Sequence, residues 1–147
     1  MVEGLGPSKV VFACVANAGR SQMAAAFFNK LANPKRAYAV SAGTRPARAI
    51  HHEVVEVMRE SGLDLSQARP QYLSSGLCKD AHILVTMGCG EECPYVPGVR
   101  YVDWPVADPG GQDEETVRGV IADIDGRVRT LLVELIPDIE LPPSVLS

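Results

Sequence analysis

The stretch Lys9-Val-Val-Phe-Ala-Cys14, continued by Val15-Ala-Asn-Ala-Gly19 and then Arg20-Ser-Gln-Met23, decides how this chain is read. Its first six residues form an apolar run of β type, suited to a strand covered on both faces. The next five are small, as a tight turn requires. From Arg20 the spacing turns helical, with Met23, Phe27 and Leu31 at every fourth position, until Asn33-Pro34 ends the helix. A buried strand that feeds a helix through such a turn points successive backbone N–H groups inward. The positive end of the helix dipole adds to them, and together they make an anion cradle.

That cradle supplies candidates for chemistry. Its field favours a thiolate over a thiol, so Cys14 is the candidate nucleophile. The backbone of Val15, Ala16, Asn17, Ala18 and Gly19 is the candidate oxyanion-binding set. Arg20 completes it with a planar fork of donors that matches two oxygens of a tetrahedral oxyanion. Ser21 is placed to hydrogen-bond the sulfur and help it leave in a later step. Asn17 suits the left-handed conformation that such a loop needs. Cys-x5-Arg alone is a weak signal, and the flanking strand and helix give it weight. The competing reading is an inert buried cysteine at a strand end.

Outward from this stretch, Ala37 to Ala42 reads as a second strand closed by Gly43, and Ala81 to Thr86 as a third. Val99 to Val102 fits a short fourth strand. Ile50, Val54, Val57 and Met58 mark an amphipathic helix with Gly62 just beyond its end. Asp113 to Leu135 is the clearest helix of all. Strands alternating with helices predict an α/β sandwich around a parallel sheet. No repeat or linker interrupts it, so residues 1–147 read as a single domain with a core over 9–135. The proline-bearing tail 136–147 is expected to lie along the surface or fray.

At 147 residues and a formal net charge of −4, the chain can bury a core and offers no extended basic surface. Its aromatic residues show no spaced platform for nucleic acid. No apolar stretch approaches a membrane span and no leader pattern opens the chain, so a cytoplasmic protein is expected. A reducing compartment would make the four cysteines catalytic, redox-active or metal-binding rather than cross-links.

The loop Cys14-Val-Ala-Asn-Ala-Gly-Arg-Ser-Gln-Met-Ala24 resembles the active-site loop of the low-molecular-weight protein tyrosine phosphatase superfamily, and within it the arsenate reductases most closely. Ser41-Ala-Gly-Thr44 is similar to that family's second-strand motif, and Asp108-Pro109 to its general-acid motif. The resemblance implies a four-stranded parallel sheet flanked by helices. It implies that Asp108 protonates the leaving oxygen, with Asp103 as the nearby competitor, and that Ser41 supports the loop through a hydrogen bond to Asn17. Gly110-Gly111 stand where the phosphatases place aromatic residues, which removes the stacking that phosphotyrosine would use and favours a bare oxyanion. Ala16 and Gly19 depart from the glycine and cysteine common in relatives. The position matching a potassium-binding glutamate of some members is Ala25, so no metal is expected.

Cys89 and Cys93 follow the third strand, in a loop that a parallel sheet gathers at the same edge as Cys14. The resemblance implies that they act as relay thiols. Cys14 would form a thiol–arsenate adduct, Cys89 would attack Cys14 to release arsenite, and Cys93 would carry the disulfide outward to thioredoxin. Three other readings stay open: zinc binding, a structural pair, or an external low-molecular-weight thiol resolving the adduct at Cys14 alone. Cys78 reads as structural, and His51, His52 and His82 receive no catalytic role. No bound cofactor is expected, only an external thiol reductant, acting on a monomer. The alternatives to arsenate reduction are hydrolysis of phosphomonoesters and a non-enzymatic redox sensor or oxyanion-binding module.

Overall fold

β1 (Ser8–Cys14) runs through the middle of the sheet and is buried from Lys9 onward, which its near-continuous apolar sequence requires. A computed structural model describes residues 6–88, 93 and 95–144. In it β1 is followed by α1 (Arg20–Leu31), β2 (Ala37–Gly43), α2 (His52–Glu60), a one-turn α3 (Ser75–Cys78), β3 (Ile83–Thr86), β4 (Arg100–Asp103) and α4 (Glu114–Leu135). The sheet has four strands in the order β2-β1-β3-β4, and every pairing is parallel. The α/β fold with a four-stranded parallel sheet is therefore the one expected. Only α3 was not anticipated; Ser74 caps its four residues by accepting from the Leu77 N–H, too short a turn to leave a periodic signal.

Successive side chains of β1 point to opposite faces, and each face has its own core. Val10 and Phe12 pack with Met23 and Phe28 of α1 and with Ile121, Ile124 and Leu132 of α4. Phe12 meets Phe28 edge-on at 6.0 Å and Trp104 at 5.5 Å. Val11 and Ala13 face the smaller cluster of Ala42, Leu73, Cys78 and Leu84. Cys78 is a free, fully buried thiol whose pKa burial pushes up, as an inert packing residue would have.

The tail does not fray through residue 144. Ile136 is buried, and Ile139 and Leu141 pack against the main core. Asp125 of α4, itself buried, accepts from the Ser144 hydroxyl at 2.7 Å and from Arg129 at 3.2 Å. No helix among the described residues is long and apolar enough to cross a membrane.

Register fixes the site. Cys14 lies opposite Gly43, Ala13 opposite Thr86, and Thr86 opposite Asp103, so the parallel strands all end at one edge. The segments that leave those ends are the ones the sequence marks for chemistry.

Candidate active site

The loop after Cys14 is held by its carbonyls. Thr44, Arg45, Ala47 and His51 donate their main-chain N–H groups to the carbonyls of Cys14, Val15, Ala16 and Ala18 at 2.8–3.1 Å. The Asn17 carbonyl accepts from Gln22 Nε2 at 3.2 Å. In a planar trans peptide the N–H points away from its carbonyl, and the described residues contain no cis bond. With these five carbonyls committed outward, the N–H groups of residues 15–19 turn toward the opposite side. Asn17 shows the result directly, donating its N–H to Cys14 Sγ at 3.2 Å. It also has a φ of +51°, the one non-glycine residue in the left-handed region among those described.

Cys14 is 2 % exposed, and its Sγ lies 2.9 Å from Ser21 Oγ. Ser21 Oγ in turn accepts from Asn17 Nδ2 at 2.6 Å. The other end of the Asn17 amide, Oδ1, accepts from Gln22 Nε2 at 3.0 Å and from the Gln71 N–H at 2.9 Å. Gln22 Nε2 reaches the Arg69 carbonyl as well, at 3.1 Å. Loop support from β2 runs through this second layer. The Ser41 carbonyl accepts from Gln71 Nε2 at 2.8 Å, so Gln71 links Ser41 to Asn17. Neither Gln22 nor Gln71 was marked from the sequence, because a polar residue early in a helix and another in a loop look like ordinary surface.

Arg20 opens α1 with its side chain largely buried, 12 % exposed. Nη1 donates to the Val106 carbonyl at 3.2 Å, and Nη2 lies 3.8 Å from Asp108 Oδ2. The guanidinium is thus steered by the loop that carries the candidate acid. The Asp108 carboxylate is exposed and accepts from the Gly110 N–H at 2.9 Å. The carboxylate of Asp103, its competitor, is occupied by the Thr86 hydroxyl at 2.9 Å, at the end of β4. A helix dipole, inward amides and a guanidinium on one loop, with a thiol inside it and a carboxyl facing it, can bind a tetrahedral oxyanion and attack its central atom.

Residues 9–140 match the low molecular weight phosphotyrosine protein phosphatase family. The chain belongs to this family. Within it, a Halobacterium salinarum protein provisionally named arsenate reductase is 40% identical over 135 residues, covering 89% of this chain and 95% of that protein. A solved structure of the Corynebacterium glutamicum thioredoxin-dependent arsenate reductase is 37% identical with a TM-score of 0.76. The match covers 88% of this chain and 62% of that one. An arsenate reductase of Archaeoglobus fulgidus, 32% identical, superimposes with a TM-score of 0.72 over 84% of this chain and 98% of its own.

Cys93 is disulfide-bonded, whereas Cys14 and Cys78 carry free thiols. Cys93 packs against the smaller core cluster, on the side of the sheet that Cys78 also occupies. Cys89 lies outside the described residues. The structure brings Cys14, Asn17, Arg20, Ser21 and Asp108 into one site.

Proposed function

We propose that this protein reduces arsenate to arsenite, with Cys14 as nucleophile and an external protein dithiol as its reductant. The observation that carries the reading is a free, buried Cys14 thiol inside an oxyanion loop, with the Arg20 guanidinium and the Asp108 carboxylate at the same site. Relatives named arsenate reductases, among them a thioredoxin-dependent one and one described in a phosphate-binding state, support it.

The Cys14 thiolate attacks arsenic, an S–As bond forms, and a hydroxyl leaves as water with a proton from Asp108. Arg20 and the inward amides of residues 15–19 hold the remaining oxygens. A second thiol, assigned to Cys89, then attacks Cys14 Sγ. The S–S bond forms as the S–As bond breaks, the electron pair passes to arsenic, and arsenite leaves. Arsenic gains two electrons and the two sulfurs lose them. Cys93 attacks Cys89 and frees Cys14, and the resulting disulfide passes to thioredoxin. Ser21, 2.9 Å from Cys14 Sγ, stabilises that thiolate as it departs.

Arsenate-dependent NADPH oxidation with thioredoxin and thioredoxin reductase tests this in wild type, Cys14→Ser and Cys93→Ser. Turnover in wild type and its loss in both variants is expected. Turnover that needs a low-molecular-weight thiol and survives Cys93→Ser would confine the chemistry to Cys14. Hydrolysis of an aryl phosphate without arsenate reduction would replace the reading with a phosphatase.

A further inference from the structure

His51 stands between the two loops that the proposed reaction needs. Its main-chain N–H donates to the Ala18 carbonyl at 2.8 Å, which fixes its backbone to the oxyanion loop. Its ring fills the space beside two glycines. A Cβ on Gly19 would come within 3.1 Å of Pro109 Cγ and 3.3 Å of ring Cδ2, and a Cβ on Gly110 within 2.8 Å of Nε2 and 3.1 Å of Cε1. One imidazole therefore abuts the oxyanion loop and the acid loop together. The same point on Gly110 lies 3.3 Å from Asp108 Oδ1, so ring and carboxylate crowd one position.

Two observations indicate that this placement is built in. Gly110 is not among the glycines with positive φ, whereas Gly111 is, at +73°. Backbone conformation does not explain a glycine at 110, and the space taken by His51 does. His51 is also the N-cap residue of α2, where serine, threonine, aspartate or asparagine would bond the exposed amides. It makes no side-chain cap bond, and its ring is turned to the loops instead. From the first turn of the same helix Glu53 Oε1 accepts the Gly111 N–H at 3.0 Å, so the start of α2 meets the acid loop at the consecutive residues Gly110 and Gly111.

We propose that His51 is a positioning residue, with Gly110 as its receptor, that holds the Asp108 loop against the oxyanion loop. It acts through Asp108 and rests on Asp108 being the acid of the reaction proposed above. The physical need is plain. Asp108-Pro-Gly-Gly111 is a short loop with few side chains to anchor it, and such loops open at little cost. A carboxyl displaced by about 1 Å loses on the order of 100-fold in rate.

Wild type is compared with His51→Ala, Gly110→Ala, the double variant and His51→Phe. Amide hydrogen exchange over residues 106–112 is measured first, since it needs no turnover. Both alanine single variants exchange severalfold faster, the double variant returns toward wild type because the new methyl enters the vacated space, and His51→Phe, which keeps a flat ring, stays near wild type. In arsenate turnover the alanine single variants lose roughly 10-fold in kcat, a fraction of what a general acid contributes. KM and the protection of Cys14 from alkylation by phosphate do not change. Unchanged exchange in His51→Ala, multiplying losses in the double variant, or an effect confined to KM and phosphate protection would each overturn the assignment. If wild type reduces no arsenate, the functional reading falls, and the exchange cycle still decides the role of His51.

Discussion

Gly43 lies so close beneath Val15 that a Cβ on it would stand 2.5 Å from the Val15 carbonyl oxygen, and 2.8 Å from the Asn17 nitrogen. Both contacts are to backbone, which cannot rotate away as a side chain would. Gly43 closes β2 opposite Cys14, so the second strand acts as the floor on which the oxyanion loop is laid.

Gly43→Ala therefore displaces the loop and spares the core. We expect arsenate kcat/KM to fall by about 100-fold, the cost of a misplacement near 1 Å, while circular dichroism stays that of the wild type. Protection of Cys14 from alkylation by phosphate weakens in parallel. Full activity in this variant would mean that the loop tolerates a shift at its floor.

Gly88, just past β3, has a φ of +87°, and a Cβ there would meet Arg20 Nη1 at 2.6 Å. The atom in the way is the far end of a flexible side chain, so the guanidinium moves, at the additional cost of a strained backbone at 88. Gly88→Ala is expected to raise KM for arsenate more than it lowers kcat, because in the proposed mechanism Arg20 holds the oxygens throughout. Steady-state kinetics on the variant decide it, and an effect on kcat alone would contradict this role.

Gln22 is 7 % exposed, and its Nε2 serves Asn17 O, Asn17 Oδ1 and Arg69 O at 3.0–3.2 Å. Removing that donor takes the Gln22 bond from the buried Asn17 carbonyl and leaves Oδ1 with the Gln71 N–H alone, a loss of about 1–3 kcal/mol. Gln22→Ala should lower the melting temperature and release Asn17 from its left-handed conformation. Gln22→Glu should be worse than alanine, since it turns acceptor oxygens toward acceptor oxygens. Thermal melts and kcat/KM of the pair test the ordering, and a glutamate variant as stable as wild type would refute it.

The sequence carried the fold because β1 declares itself by its continuous apolar run and α1 and α4 by their period, and Asn33-Pro34 and Asp113 mark helix ends. Asp113 does cap α4, accepting from the Thr116 N–H at 2.8 Å. Cys14, Arg20 and Ser21 were legible together because a strand, small residues and a helix surround them. What escaped was everything set by contact across the chain. Gln71 reaches Asn17 from 54 residues away, and no local spacing announces it. His51 read as a histidine at a helix start, and its use appears only when Gly19 and Gly110 are seen on either side of its ring. How the tail is held was also not legible, because Asp125, which Ser144 and Arg129 contact, looks like one more charge on an exposed helix face.

Glu53 makes the acid loop sensitive to pH. The Gly111 N–H, and after it Glu53's own N–H, hold its carboxyl below its ordinary value of 4.5. A carboxylate lowered in the folded protein stabilises it above the unfolded value, and that contribution fades as pH falls through the folded one. The Gly111 tether should thus be complete at neutral pH and loosen below about 4.5. Because Glu53 is partly exposed, the effect is local, a freer loop rather than an unfolded protein. Hydrogen exchange at Gly111 should rise reversibly as pH drops through that window in wild type. In Glu53→Gln it should already be raised at neutral pH and gain little more on acidification. Asp108 also accepts from this loop, at the Gly110 N–H, so Asp108→Asn is the necessary control. If the pH response disappears in that variant and persists in Glu53→Gln, the tether belongs to Asp108 and not to Glu53.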